Sequence, residues 1–153
     1  MLNVEKFKKA QRLVNKIAKI REELHDLDYN DSLKILPDFV ERYARDRFDL
    51  ELKNAKGYDG IGKSDGKRYQ IKYTYIKERT SDGKVKFTNA LDNIKRDTFD
   101  FLVAVILDKN YNIIEVFKIP HEKVCQEGWL RNQSFRIEKV YNQLKEFKVP
   151  VIG

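Results

Sequence analysis

Hydrophobic and polar residues follow two different rhythms along this chain, and the change of rhythm divides it. From Val4 to about Leu27, the residues Ala10, Leu13, Ile17, Ile20, Leu24 and Leu27 recur at alternating three- and four-residue steps. That spacing lays one apolar stripe along a helix, between charged faces. The stripe suits either a coiled-coil seam for a homodimer or packing in cis on the rest of the domain. "DYND" then breaks the pattern with cap-type residues. A second helix is predicted from roughly Ser32 to Arg47, with Leu33, Leu36, Val40, Tyr43 and Ala44 inward. Pro37 implies a kink or a start near Leu36, because proline lacks the N–H of an interior position but fits the first turn. Glu41 falls beside Val40, at the edge of the buried face.

After Arg47 the period drops to two. Phe48, Leu50 and Leu52 alternate with Asp49, Glu51 and Lys53, the pattern of a half-buried strand. "YDGIG" and "KRYQIKYTYIK" read as two further strands around the turn "KSDG". "RTSDGK" is a second turn-rich segment, and "FTNALDNIKRD" a short irregular helix or loop. "DFLVAVIL" reads as a strand buried on both faces, and "YNIIEVFKI" as its hairpin partner. "PHEKVCQEG" suggests a short helix with Pro120 in its first turn, and Trp129 in "EGWLRN" a loop anchor. "SFRIEKVYNQLKEF" ends in a brief strand or goes straight into a terminal helix. The order predicts one α+β domain over 1–153, with an N-terminal helix 4–27, a core 32–124 and a C-terminal strand or helix extension 125–153.

Composition narrows the function classes. A chain of 153 residues, 41% hydrophobic and 36% charged, can bury a real core inside a charged exterior. The formal charge of +7 points to a polyanionic partner, nucleic acid before an acidic membrane surface, or else to a lysine-rich surface that maintains solubility. Cys125 is the sole cysteine, which excludes an intrachain disulfide and a thiolate metal cluster and fits a reducing cytoplasm. His25 and His121 lie far apart and lack zinc-site spacing. The N-terminus lacks the apolar run of a secretory segment. The longest apolar run, Phe101 to Leu107, is too short to span a membrane. A cytoplasmic protein without a membrane partner is the expectation.

The candidate chemistry sits in "GYDGIGKSDGKRYQIKYTY". Alternation puts Tyr69, Ile71, Tyr73 and Tyr75 on the core side and Gln70, Lys72 and Thr74 on the other. With a turn near Asp65, facing residues have numbers that sum to about 130, and cross-strand neighbours lie roughly 5 to 8 Å apart. This register sets Asp59 opposite Ile71. Asp59 joins Gln70 and Lys72 only if the register slips by one or a bulge intervenes, which Gly57, Gly60 and Gly62 make easy. Mg²⁺ takes oxygen ligands, and Asp59, the Gln70 amide oxygen and the Ile71 carbonyl offer three, with Glu41 completing the shell directly or through water. Lys72 would orient the attacking water or stabilise a pentavalent phosphate. Read as structure alone, Asp59 braces a turn, while Gln70 and Lys72 are ordinary exposed strand residues.

A helix bearing Glu41, a hairpin bearing Asp59 and "QIK", and the buried strand "FDFLVAVIL" together resemble the PD-(D/E)XK nucleases, over roughly Ser32 to Val124. The sequence is also similar to small bacterial proteins of the restriction-endonuclease-like type. The resemblance implies a mixed sheet flanked by helices (an α/β sandwich) and Mg²⁺-dependent cleavage of DNA, with Mn²⁺ as a substitute. On that pattern Asp59 matches the first metal-binding acid, Gln70 the second ligand, Lys72 the catalytic lysine and Glu41 the additional helix acid. Two departures stand out. Tyr58 replaces the motif's proline, and Gln70 replaces an acid, which removes one negative charge from the metal site. The alternative function is a catalytically inactive nucleic-acid-binding module on the same fold. Lys63, Lys67, Arg68, Lys77, Arg79, Lys84, Lys86, Lys95 and Arg96 surround the site and are the candidate phosphate contacts, each equally able to be a solvated face. Tyr43, Tyr58, Tyr69, Tyr73 and Tyr75 are candidates for base stacking or, for most, for the core.

Overall fold

Helix α1 (Val4–Asp26) starts at Asn3, whose side chain accepts a hydrogen bond from the Lys6 N–H at 3.0 Å, with Glu5 in the positively polarised first turn. It packs in cis, but on a stripe offset from the one hydropathy picks out. Val14 is buried and Phe7 and Ala18 pack on the core beside it, whereas Leu13, Ile20 and Leu27 are 52%, 49% and 68% exposed. Two polar residues set this rotation. Gln11 donates to the Tyr111 carbonyl at 2.9 Å and accepts from the Ile113 N–H at 3.1 Å, and Asn15 donates to the Asn110 carbonyl at 2.6 Å. The Gln11 bonds satisfy backbone groups of the buried residues Tyr111 and Ile113, a demand a hydrophobic stripe does not encode. The computed structural model describes residues 1–27 and 36–153, apart from the side chain of Leu24. The predicted break at "DYND", the residues 32–35 with the inward place of Leu33, and the place of Leu24 in the stripe lie outside the described residues.

Helix α2 (Leu36–Phe48) carries Pro37 in its first turn and buries Leu36, Val40, Tyr43 and Ala44, as the periodicity predicts. Phe48 belongs to this helix and not to the next strand. The chain leaves the helix through Asp49 in a left-handed conformation (φ 53°), and the two-residue alternation begins only at Leu50.

The strands are β1 (Leu50–Ala55), β2 (Tyr58–Gly62), β3 (Arg68–Arg79), β4 (Val85–Phe87), β5 (Phe101–Leu107) and β6 (Ile113–Pro120). Then come α3 (His121–Val124), the small hairpin β7 (Leu130–Arg131) and β8 (Ser134–Phe135), α4 (Ile137–Val140), a 3-10 helix (Tyr141–Phe147) and β9 (Lys148–Val149). Seven strands form one mixed sheet in the order β1-β2-β3-β5-β6-β9, with β4 added to β3. All pairs are antiparallel except β3–β5, which run parallel from Tyr69↔Phe101 to Tyr75↔Leu107. The short β4 and β9 have no counterpart in the sequence reading, because two or three residues carry no period. The C-terminal segment contains both alternatives the sequence left open, a brief strand and then helical turns. Residues 88–100 form an irregular connection.

Each face of the sheet covers its own core. Val103, Val105 and Leu107 of β5 meet α1 and α2 on one side, while Leu102, Ala104 and Ile106 meet residues 85–99 and the C-terminal elements on the other. Six consecutive β5 side chains from Leu102 to Leu107 are fully buried, so this strand explains itself as an unbroken apolar run. The architecture is an α+β sandwich, a mixed sheet with helices against it.

Candidate active site

The loop between β2 and β3 fixes the site. It spans 63–66, with the Gly62 N–H bonded to the Lys67 carbonyl at 2.9 Å. Asp65 braces it, accepting from the Lys67 N–H and the Tyr69 hydroxyl, each at 2.9 Å. The pairs that result, Gly60↔Tyr69 and Ile61↔Arg68, lie one step from the predicted register. Continued by one residue, they set Asp59 across from Gln70 and not from Ile71. The slip required for the site is therefore the register of the hairpin. A bulge supports it from behind: β1 pairs Leu52 with Gly60 and Ala55 with Tyr58, so Lys53 and Asn54 together oppose the single Asp59.

Regular pairing of β2 with β3 stops at Gly60, and the Asp59 side chain continues it. Its Oδ2 accepts from the Ile71 N–H at 2.7 Å and from the Gln70 Nε2 at 2.9 Å. Within an extended strand the N–H and C=O of one residue point to the same edge, so the Ile71 carbonyl also faces this gap. Lys72, half-buried, follows on the same side of β3 as Gln70. Glu41 comes from α2. Glu41, Asp59, Gln70, Ile71 and Lys72 line one open cleft of about 410 Å³, whose far wall is the segment 89–93.

Burial pushes the Asp59 carboxyl up from the ordinary range, opposed by the Ile71 N–H and then by the Lys72 ammonium. Glu41 is also raised, first by burial and next by the negative charges of Asp59 and Asp38, with Arg42 opposing. Two acids that resist ionisation and repel each other are a place where a cation is favoured. Gln70 adds the decisive detail. It is 5% exposed, and its Oε1 is fully buried with no hydrogen-bond partner among the described residues. Such an orphan acceptor beside a carboxylate is unusual in a folded protein.

Among the described residues, no group of three or more His, Cys, Asp or Glu side chains is placed to hold a metal. The oxygens at hand are the Asp59 carboxylate, the Gln70 amide oxygen and the Ile71 carbonyl, with Glu41 lining the same cleft. Hard cations accept neutral oxygens, so this set could hold one such ion once the Gln70 amide, whose Nε2 faces Asp59, turns its oxygen toward the carboxylate.

The sequence did not single out the far wall, including Asn89, Asp92 and Asn93. Thr74 holds it, donating to the Asn89 carbonyl at 2.9 Å, and Leu91 exchanges backbone bonds with Phe135 at 2.9 and 2.8 Å. The run of Asn and Asp in "TNALDN" was the available signal.

The nine predicted phosphate contacts divide. Arg68 is clamped to Asp100, with bonds at 3.2 and 3.3 Å, and Arg79 to Glu115 at 3.1 Å. Lys63 pairs with Asp49 at 3.7 Å and Lys84 with Asp82 at 3.9 Å. Arg96 donates to the carbonyls of Cys125 and Leu130, each at 3.1 Å. These five have structural employment. Lys67, Lys77, Lys86 and Lys95 are exposed and make no ion pair among the described residues. Tyr43 and Tyr69 are buried, and Tyr58, Tyr73 and Tyr75 are half-buried against the two cores. His121 sits beside Cys125, its Nε2 3.4 Å from the Sγ, but burial pushes that thiol up and away from the thiolate. Trp129 packs against Phe135 with ring centroids 6.2 Å apart, as a loop anchor should. Among the described residues no helix is long and apolar enough to cross a membrane.

Comparison with protein-family models and with curated proteins finds no match to this sequence.

Proposed function

We propose that the protein is a Mg²⁺-dependent DNA endonuclease of the PD-(D/E)XK, restriction-endonuclease-like class, hydrolysing phosphodiester bonds in the cleft between α2 and β3. The observation that carries this reading is the orphan Oε1 of Gln70, on the amide that bonds the half-buried Asp59 carboxylate. Asp59, Gln70 and the Ile71 carbonyl would hold Mg²⁺ or Mn²⁺, with Glu41 completing the shell. When bound, such an ion lowers the pKa of a water and offsets phosphate charge. Lys72 presents its ammonium to the same cleft, where it would hold a phosphate oxygen or orient the attacking water. Asp59 also has a structural part: its bond to the Ile71 N–H ties β2 to β3 where the regular backbone pairing stops. Purified protein with Mg²⁺ or Mn²⁺ is expected to nick supercoiled DNA. Asp59→Ala and Lys72→Ala should each lower the rate by about 100-fold or more with an unchanged circular dichroism spectrum. Cleavage that persists in both variants rejects the assignment.

One observation favours a second reading, a nucleic-acid-binding module without catalysis. Gln70 turns its Nε2 toward Asp59, so the amide supplies the carboxylate with a donor that a cation would replace. An inert site gives no heat with millimolar Mg²⁺ in calorimetry, and its DNA binding survives EDTA.

The homodimer suggested by the apolar stripe would use the outer face of α1. Leu13, Ile20 and Leu27 stand exposed at seven-residue spacing. After Glu5, the charged residues from Lys6 to Arg21 are all basic, while Glu22, Glu23 and Asp26 cluster at the end of the helix. Antiparallel pairing of two copies sets the acidic end of one helix near the basic start of the other.

A further inference from the structure

The active-site cleft does not end at the segment 89–93. Asn89 and Ala90 also line a smaller cavity of about 210 Å³, which Arg136 closes at the other side. Arg136 in turn lines a third cavity, of about 640 Å³, around the β7–β8 hairpin. The three hollows share lining residues in turn from the cleft to the hairpin. The Leu91–Phe135 backbone pair and the Ile94 N–H bond to the Gln133 carbonyl (2.9 Å) tie the cleft wall to this hairpin.

The third cavity has a distinct chemistry. Trp129, Arg131, Arg136 and Lys139 line it, with no acid among its lining residues. All three cations are exposed and make no ion pair or side-chain hydrogen bond among the described residues. Five of the cations that sequence singled out are, by contrast, already engaged. The Trp129 ring leans on Phe135 and stays half-buried, so part of it remains open to the cavity. Glu138, in the middle hollow, is the acid on the way.

We propose that this hairpin cavity is a binding site for single-stranded nucleic acid: an unpaired base stacks on Trp129 while Arg131, Arg136 and Lys139 hold the flanking phosphates. Duplex fits poorly, because a paired base offers no free face to a side chain, whereas base–aromatic stacking with tracking cations is the ordinary chemistry of single-strand binding. The inference rests on the nuclease reading only for its direction, a strand leaving the catalytic cleft past Asn89 and Arg136.

Trp129 is the sole tryptophan of the chain, so its fluorescence reports the site directly. The experiment titrates full-length Lys72→Ala protein with oligo(dT) in EDTA, where no cutting can occur. The expected result is saturable quenching, stronger with oligo(dT) than with a duplex of equal length or with dextran sulfate. Replacing Arg131, Arg136 and Lys139 together by alanine should weaken binding more than tenfold and flatten the log K–log salt slope by about 2, from roughly 0.7 per phosphate contact. Trp129→Leu should weaken it about 5- to 140-fold, followed by anisotropy of a labelled oligonucleotide. Because Trp129 also packs on Phe135, the exposed-cation variant keeps the test independent of folding. Absent quenching, equal quenching by dextran sulfate or duplex, or an unchanged affinity in the triple variant overturns the proposal. Quenching without Mg²⁺-dependent cleavage in the unsubstituted protein removes the nuclease reading and leaves this site standing.

Discussion

Substitution of Gln70 by glutamate sets a second carboxylate against Asp59 and tests the proposed metal site by its energetics before any catalysis is measured. Gln70 Nε2 donates to Asp59 Oδ2 at 2.9 Å. A hydrogen bond to a charged group contributes about 1.5–3 kcal/mol, and Gln70→Glu removes it when both acids are ionised. The new carboxylate also lies against the old one, and two like charges about 4 Å apart repel by about 4 kcal/mol at an effective dielectric constant of 20. Proton uptake by the pair limits the sum, so the expected loss of stability at pH about 7.5 is roughly 3–5 kcal/mol, or a drop in Tm of about 6–20 °C for a chain of this size.

The sign with pH follows from the direction of the shift. Asp59 is already raised by burial. In the variant, Asp59 and the introduced glutamate share a proton in the folded state at pH values where the unfolded chain has lost it. The stability of the variant is therefore fully present below the unfolded carboxylate range near pH 4 and is lost as pH rises through the folded value. At pH about 4 the protonated acid donates the bond that glutamine did, and the variant should match the parent. With a Kd near 0.1 mM, about 10 mM Mg²⁺ would return about 2.7 kcal/mol at neutral pH. Urea denaturation at both pH values, with and without Mg²⁺, measures all four corners. If Gln70→Glu is as stable as the parent at pH about 7.5 without metal, and Mg²⁺ stabilises neither, the converging-oxygen argument is wrong.

Three further outcomes follow from named contacts. Mg²⁺ competes with protons for Asp59 and Glu41, both raised, so its affinity in the unsubstituted protein should fall as pH drops through a range above that of ordinary carboxylates; calorimetry across pH about 4.5–8 checks this. Glu115, 5% exposed, accepts the Tyr141 hydroxyl at 2.7 Å and pairs with Arg79 at 3.1 Å and Lys148 at 3.4 Å. Glu115→Ala should cost about 3 kcal/mol, the low end for a buried pair because both cations can turn to solvent, and a Tm within about 2 °C of the parent would contradict it. Leu13→Lys with Ile20→Lys should leave Tm nearly unchanged, since both side chains are half exposed, while halving the mass in light scattering; a parent that is already monomeric removes the homodimer.

Sequence legibility tracked how local each cause is. Helix α2 and strand β5 were readable because long apolar periods decide them, and Pro37 marked the start of α2. The rotation of α1 was not, because Gln11 and Asn15 set it through partners about a hundred positions away. The site residues were visible as residue types, but their meeting depended on whether the turn centred on Asp65 or half a step before it, a distinction carried by the four-residue loop and the bulge at Lys53 and Asn54. The partners of Lys63, Arg68, Arg79, Lys84 and Arg96 were not legible for a similar reason: a basic run in sequence says nothing of the carboxylate or carbonyl that folding brings to it.

The parallel pairing of β3 with β5 obliges the chain to cross over between them, and that crossing is what encloses the cleft. Its far wall is anchored to Phe135, some seventy positions beyond Asp59 along the chain. Synthesis from the N-terminus thus lays down the carboxylate, amide and ammonium long before their enclosure exists, and long-range closures of this kind form late. A chain halted near residue 130 should carry Asp59, Gln70 and Lys72 and still lack the enclosed cleft.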